Sequence, residues 1–314
     1  MANITVVGEV VVDRVITGDA HVDVAGGSAA NVAHALIKAG DAVDFRARFS
    51  KDNLGQYLRN SSQALGISLT NSIAADEPAT LVEIDLDFAG VPQYRFLLEG
   101  AADWQWTPSE IGKPLPNNTE AVVIGSLVSV IEPASHVLLN WAQSVKSDST
   151  LLCFDPNARP SALEALGIEG SARNLISQWV AIADIVKVSD EDLAWIEPGR
   201  TPLEVAAGWS KQGPQLVVLT QGSNGVVAFV DGHLVCALPG VSVAVVDTVG
   251  AGDTFLAWLV HGYLRLTRQE RENTYSLIDV IGVANQAAAL TCTQRGCQPP
   301  AHHRLRNFMP KSIS

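Results

Sequence analysis

Cysteine is scarce. Four thiols in 314 residues are too few for a disulfide framework. Cys153 and Cys236 lie in apolar, strand-like runs, where reduced buried thiols are expected. Cys292 and Cys297 have no second pair, so the spacing of a zinc site is missing. No uninterrupted apolar stretch reaches the roughly 18 residues of a membrane span. The first residues lack a basic n-region and an apolar h-region, so no secretory leader is expected and the protein reads as cytoplasmic. Basic residues are outnumbered 21 to 33, for a net charge of -12. That balance argues against nucleic-acid binding, which needs clustered Lys and Arg, yet leaves room for a small anion held by local groups. Charged residues of both signs amount to only 17% against 47% apolar, which excludes a disordered chain. Low-complexity segments, charge runs and internal repeats are absent too.

What is present is an alternation of strand-like and helix-like segments, the pattern of an α/β fold with a mostly parallel sheet. Residues 3–12, 120–125, 150–154, 183–188 and 215–220 read as strands. Residues 28–39, 53–65, 133–146, 170–180, 201–212, 251–266 and 275–292 read as helices. Two stretches break the rhythm. Residues 80–88 alternate, with Val82, Ile84, Leu86 and Phe88 against Glu83, Asp85 and Asp87, then a turn at Gly90 and Pro92 and a second strand over 93–98. This is a hairpin with one wet face. The strand-like 9–24 segment is the other. Together they predict a small sheet apart from the main domain, with a core of 1–9, 25–75 and 107–314 and a lid of 10–24 and 76–106. The apolar face of the 80–98 hairpin either joins two copies as a homodimer or packs over a substrate.

Two glycine motifs carry the chemistry. In Asp247-Thr248-Val249-Gly250-Ala251-Gly252-Asp253-Thr254-Phe255, an apolar run over 241–246 reads as a strand and a helix starts at Ala251 or Gly252. Such a turn presents backbone N–H groups at a helix N-terminus, which favours an anion. Asp253 falls in the first turn. It either complements the helix dipole or takes a proton from an attacking hydroxyl beside that anion. A dinucleotide fingerprint fails, because Phe255 stands where a third glycine is needed. A Walker loop fails as well, since Gly112-Lys113 is followed by Pro114. The second motif is Gly26-Gly27-Ser28-Ala29-Ala30-Asn31. It is either a strand-to-helix turn with Ser28 as N-cap or a close approach for a ligand, with Asn31 able to donate to and accept from a polyol.

In this order, about 220 residues apart, the two motifs resemble those of the ribokinase/PfkB-type carbohydrate kinases, and the resemblance covers essentially the whole chain. It implies a doubly wound, mostly parallel sheet flanked by helices, with a small β-sheet lid over a sugar cleft. Asp253 would be the catalytic base, and the backbone of Gly250, Ala251 and Gly252 the anion hole. Asp13, Gly26, Gly27 and Asn31 would face the sugar. Thr220, Gly222, Gly225 and Asn285 would face the nucleotide. The substrates implied are ATP, with Mg2+, and a sugar. The family's Asn-x-x-Glu motif appears here as Ser189 and Asp192, so Asp192 would reach magnesium through water. Asp247 lies where the family often holds a monovalent cation such as K+. The run Asp155-Pro156-Asn157-Ala158-Arg159-Pro160 and the segment Tyr94 to Trp104 are similar to those of bacterial fructokinases, which implies D-fructose. Ribose, another ketose, 2-keto-3-deoxygluconate and a nucleoside stay open as acceptors, and so does a non-catalytic binding protein on the same fold.

Overall fold

The computed structural model describes residues 1–18, 20–86 and 92–308. Fourteen strands are present among them: β1 (Asn3–Val7), β2 (Val11–Thr17), β3 (Ala20–Gly26), β4 (Ala42–Arg46), β5 (Arg48–Ser50), β6 (Ile73–Ala75), β7 (Thr80–Leu86), β8 (Pro92–Leu97), β9 (Thr119–Gly125), β10 (Leu151–Asp155), β11 (Ile185–Ser189), β12 (Leu216–Thr220), β13 (Val226–Val230) and β14 (His233–Leu238). The main sheet has the order β14-β13-β12-β11-β10-β9-β1-β4. All its pairings are parallel except those of β13, which runs against its neighbours.

Side-chain alternation along the strands divides the core in two. Ile4, Val6, Ala121, Val123, Leu216 and Val218 pack with helices Ser28–Ala39, Ala251–Arg265 and Thr274–Thr291. Val7, Val122, Ile124, Val217 and Leu219 pack on the other face with helices Ala134–Val145, Glu169–Ile182 and Pro202–Trp209. Burial on both faces explains why these strands are continuous runs of Val, Ile and Leu. In such a sheet the strand C-termini form one edge, and ligands of open α/β sheets bind there.

A separate four-stranded sheet has the order β3-β2-β7-β8. Its register sorts the side chains by face. Asp23, Arg14, Glu83 and Arg95 form one cross-strand row, tied by Arg14–Asp23 at 2.7 Å and Arg95–Glu83 at 3.1 Å. The next row is Val24, Asp13, Val82 and Phe96. Asp13 is therefore the one acid in an apolar row. Asp87, Phe88 and Gly90 of the expected hairpin lie outside the described residues.

Four local readings are corrected or completed. The 3–12 run is two strands, because the chain leaves the main sheet at Gly8-Glu9-Val10 to enter the small one. Residues 241–246 form no strand; Val245 and Val246 are exposed, and among the described residues the segment's one engaged amide is that of Val246, which donates to Cys292 O at 2.8 Å beside the Asp247 amide at 3.2 Å. The β13–β14 hairpin went unread although Asp231-Gly232 is a strong hairpin signal; both residues have positive φ, 48° and 76°. The short pair β5–β6 carried too few residues to show a pattern.

Asp103 ties the junction between the two sheets. Its Oδ1 accepts from the Val10 amide at 2.8 Å, just before β2. Its Oδ2 accepts from the Thr80 hydroxyl at 2.5 Å, at the start of β7. Burial pushes this carboxyl up to about 7, with nearby Glu9 adding to the rise and the hydrogen bonds opposing it. An acid whose folded pKa lies above its unfolded value keeps a proton that the unfolded chain has released. Its contribution to stability therefore declines as pH rises from about 4 to about 7. Asp103→Asn retains a partner for each hydrogen bond and cannot ionise. It should be no more stable than wild type at pH 5 and more stable at pH 8, by urea denaturation at both values; a larger deficit at pH 8 than at pH 5 would contradict this.

Candidate active site

Two helix N-termini meet at the C-terminal edge of the main sheet. The first helix, Ser28–Ala39, starts after Gly27. That glycine has φ 114°, and a Cβ there would lie 3.0 Å from Val10 Cα and run into Glu9 O. The second, Ala251–Arg265, starts after Gly250 at φ 77°, where a Cβ would run into Cys297 Sγ. Neither turn accepts another residue. Ser28 is not the N-cap, since Gly27 occupies that position. Its hydroxyl instead donates to Asp253 Oδ1 at 2.5 Å, while Asn31 Nδ2 donates to Oδ2 at 2.8 Å. Asp253 is buried, and both its oxygens are aimed by the Gly26–Asn31 motif.

Of the three amides expected to hold an anion, that of Ala251 turns back onto Thr248 O at 3.2 Å. Those of Gly250 and Gly252 have no backbone acceptor among the described residues, so they remain the free donors of this helix start.

Asp13 faces the same region from the small sheet. A Cβ on Gly26 would sit 2.8 Å from Asp13 Oδ2, so Gly26 leaves room for that carboxylate. Burial pushes the Asp13 carboxyl up, opposed by the charge of Arg159, which the loop after β10 brings to the cleft. Sequence reasoning missed Glu9, two residues past the end of β1. Its Oε2 accepts from the Val128 amide at 3.2 Å. Burial raises its pKa, and the Ser126 hydroxyl and Arg159 oppose the rise. Ser126 and Asn157 follow β9 and β10 with φ of 57° and 37°, left-handed backbone that non-glycine residues adopt at a cost.

Next to Asp253 lies a second group that sequence reasoning did not assemble. Lys187 Nζ contacts Asp155 Oδ2 at 2.9 Å, both side chains almost wholly buried. Burial pushes Asp155 up to about 6; Lys187 opposes this, and the charges of Asp192 and Asp253 add to it. The short, mostly apolar run 183–188 marked Lys187 only as a strand residue. Asp192 is held locally: Oδ2 accepts from the Ser189 hydroxyl at 2.7 Å and Oδ1 from the Ala158 amide at 2.9 Å. Ser189 caps helix Asp190–Ile196 in a reciprocal capping box with Asp192. Among the described residues no group of three or more His, Cys, Asp or Glu is placed to hold a metal.

The expected nucleotide residues gather at the ends of β12 and β14. The Thr220 hydroxyl donates to Val188 O at 3.3 Å. Gly222 opens a tight turn, Gly222–Asn224, and Gly225, at φ 106°, lies where a Cβ would run into Leu238 O. Asn285 Nδ2 donates to Pro239 O at 3.0 Å, fixing helix Thr274–Thr291 to the segment after β14. Asp247 stands apart from that turn. Its oxygens accept from the Val249 and Gly296 amides at 3.0 and 2.8 Å, and these bonds hold its carboxyl below the usual range. No helix among the described residues is long and apolar enough to cross a membrane.

Residues 1–304 match the model of the pfkB family carbohydrate kinases. A fructokinase of Rhizobium leguminosarum bv. trifolii is 29% identical over 91% of this chain and 82% of its own length. A fructokinase of Klebsiella pneumoniae is 27% identical over 93% and 94%. In fold, the chain resembles the Vibrio cholerae O395 fructokinase solved with fructose, ADP and calcium, with a TM-score of 0.81, 23% identity and 99% coverage of each chain. It also resembles the ATP-bound fructokinase of Xylella fastidiosa, with a TM-score of 0.84, 19% identity and coverage of 98% and 97%. With a ribokinase-like fold and a family match over nearly its full length, the chain belongs to the pfkB family of carbohydrate kinases and is a phosphotransferase acting on a sugar hydroxyl.

Proposed function

We propose that the protein transfers the γ-phosphoryl group of ATP to a primary hydroxyl of D-fructose. The observation that carries the chemistry is the Asp253 carboxylate, aimed by Ser28 and Asn31 and set in the first turn of a helix with free Gly250 and Gly252 amides. In this reading Asp253 accepts the hydroxyl proton as the oxygen attacks. The free amides and the helix dipole offset charge on the transferred group. Asp13 and Gly26 bind sugar hydroxyls, and the four-stranded sheet is the lid that excludes water as a competing acceptor. Asn31, drawn onto Asp253, positions the base as well as bordering the sugar. Thr220, Gly222, Gly225 and Asn285 shape the nucleotide end.

Fructose is favoured by the fructokinase relatives of this chain and by the Asp155 to Pro160 run. Magnesium would arrive on the nucleotide phosphates, whose charge it neutralises. Asp192, with its oxygens engaged by Ser189 and Ala158, would reach it through water. A potassium ion at Asp247 would share oxygens that already accept from two amides. The Asp13-bearing face is uncovered farther along at Val22 and Tyr94, which is where a second copy would pack. A cytoplasmic setting suits a protein that uses ATP.

The test is ADP release from ATP-magnesium with fructose, against a no-sugar blank and a panel of ribose, other ketoses, 2-keto-3-deoxygluconate and nucleosides. A fructose rate well above the panel is expected; a faster rate with another acceptor would keep the chemistry and discard fructose. Asp253→Asn should lower kcat by about 10³-fold or more, in line with loss of a general base, while sugar binding measured by calorimetry stays within a few-fold. Wild-type turnover in that variant would overturn the assignment. Asp13→Asn should act mainly on the sugar, raising its KM about tenfold or more through lost charged hydrogen bonds with little change in the KM for ATP.

A further inference from the structure

Lys187 is the one ammonium in a group of three carboxylates. Asp155, Asp192 and Asp253 all act on it electrostatically and hold it protonated despite its burial. An ammonium has three N–H donors. Among the described residues Lys187 makes one hydrogen bond, to Asp155 at 2.9 Å. Two donors of an almost wholly buried cation are therefore unspent, in an interior where unpaired polar groups are costly.

Their position is fixed by a glycine. A Cβ on Gly252 would lie 3.0 Å from Lys187 Nζ, so the ammonium lies against the backbone of the anion-binding turn itself. Gly252 is helical with no positive φ, so helix geometry does not require glycine there; the absence of a side chain lets Nζ lie against the turn without shifting. A second unspent donor adjoins the same carboxylate. The Asn157 amide N–H bonds Asp155 Oδ1 at 3.2 Å, and Asn157 Nδ2 is buried with no partner among the described residues. Donors left over on both sides of Asp155, beside free helix amides, match an anion rather than a neutral polyol.

We propose that Lys187 is a catalytic residue whose ammonium contacts the phosphoryl group in flight, with Asp155 as the positioning residue that holds it against Gly252. This rests on Asp253 and the Gly250–Gly252 turn being the transfer centre. No covalent step is added: the cation stabilises negative charge on the equatorial oxygens as the bond to ADP breaks and that to the acceptor oxygen forms.

Lys187→Met alone leaves Asp155 buried and uncompensated, which threatens the fold. The informative variant is Lys187→Met with Asp155→Asn, compared with Asp155→Asn alone and with Lys187→Arg. All are checked for wild-type circular dichroism and melting. With the acceptor that supports turnover, the double variant should lose about 10²-fold or more in kcat, the size of a lost oxyanion donor. Asp155→Asn, which keeps the ammonium, should lose much less. The KM for sugar should stay within threefold throughout. Affinity for ADP with aluminium fluoride and acceptor, a mimic of the transferring group, should fall at least 30-fold in the double variant, while affinity for ADP alone changes less than fivefold. A folded double variant with kcat within threefold of Asp155→Asn overturns the proposal, as does an equal loss for ADP alone and for the mimic. Should the double variant fail to fold, Lys187→Arg decides: unchanged mimic affinity and kcat despite the bulkier, displaced charge overturn it. Asp253→Asn is measured in parallel. If that variant turns over normally the transfer centre itself is wrong; if it is inactive and the Lys187 variants are normal, only the role of Lys187 falls.

Discussion

Everything in the site depends on one contact: the Asp253 carboxylate against Ser28 and Asn31. It joins the first turns of two helices that lie at opposite ends of the chain. A side chain cannot be aimed this way unless both helices are fixed along their lengths. The helix Ala251–Arg265 is fixed at its far end by Asp41, just before β4. Asp41 Oδ2 pairs with His261 Nδ1 at 2.7 Å and Oδ1 with Arg265 Nη2 at 2.9 Å. Burial alone would raise the Asp41 carboxyl, but these two partners hold it below the usual range. Between the ends, Phe255 to Val260 are buried without exception. The helix is thus a rigid rod with its free amides at one end and an ionic anchor at the other.

The electrostatics at the reacting end follow from this rigidity. Asp155, Asp192 and Asp253 approach one another around a single ammonium, and burial works against the charges of Asp155 and Lys187. Hydration cannot relieve the crowding, because the side chains are enclosed by strand ends and helix starts. The relief built into the chain is local: a capping box for Asp192, Lys187 for Asp155, and Ser28 with Asn31 for Asp253. So arranged, the site would suit the nucleotide of the proposed reaction, which carries its own cation. The Gly250 and Gly252 amides keep no backbone acceptor among the described residues, and each carboxylate already has its partner.

Much of this was legible in the sequence. Runs such as Leu216-Val217-Val218-Leu219 mark strands buried on both faces, and the glycine motifs mark both critical helix starts. What escaped had physical reasons. Val241 to Val246 has strand composition, yet the segment pairs with no strand among the described residues, so composition misled. Glu9, Asp103 and Lys187 look like ordinary residues beside apolar neighbours. Their importance comes from burial and from partners in distant segments, such as Val128 for Glu9 and Thr80 for Asp103. Ser28 was visible as a helix-start residue; that its hydroxyl turns across to Asp253 depends on the angle between two helices, which local spacing does not encode. The Asp231-Gly232 turn, by contrast, was readable.

The division of labour between the two sheets explains why the reaction is easier to name than the acceptor. Asp253 and its two partners come from helices on the main sheet, and no residue of the four-stranded sheet hydrogen-bonds that carboxylate among the described residues. The small sheet supplies Asp13, one acid in an otherwise apolar cross-strand row. In the proposed reading, acceptor choice would turn on the neighbours of Asp13 in that row, Val24, Val82 and Phe96, which lie on a different sheet from Asp253. Asp103 couples the parts by bonding both strands that leave the core, at Val10 and Thr80. Asp103 is not alone in fixing the small sheet on the core: the Tyr57 hydroxyl, on the helix after β5, accepts from the Ala25 amide at 3.2 Å and donates to Asp23 O at 2.9 Å in β3. The sheet is therefore held at both the β2–β7 and the β3 ends, and the geometry offered to a sugar would depend on these ties as much as on the residues lining the cleft.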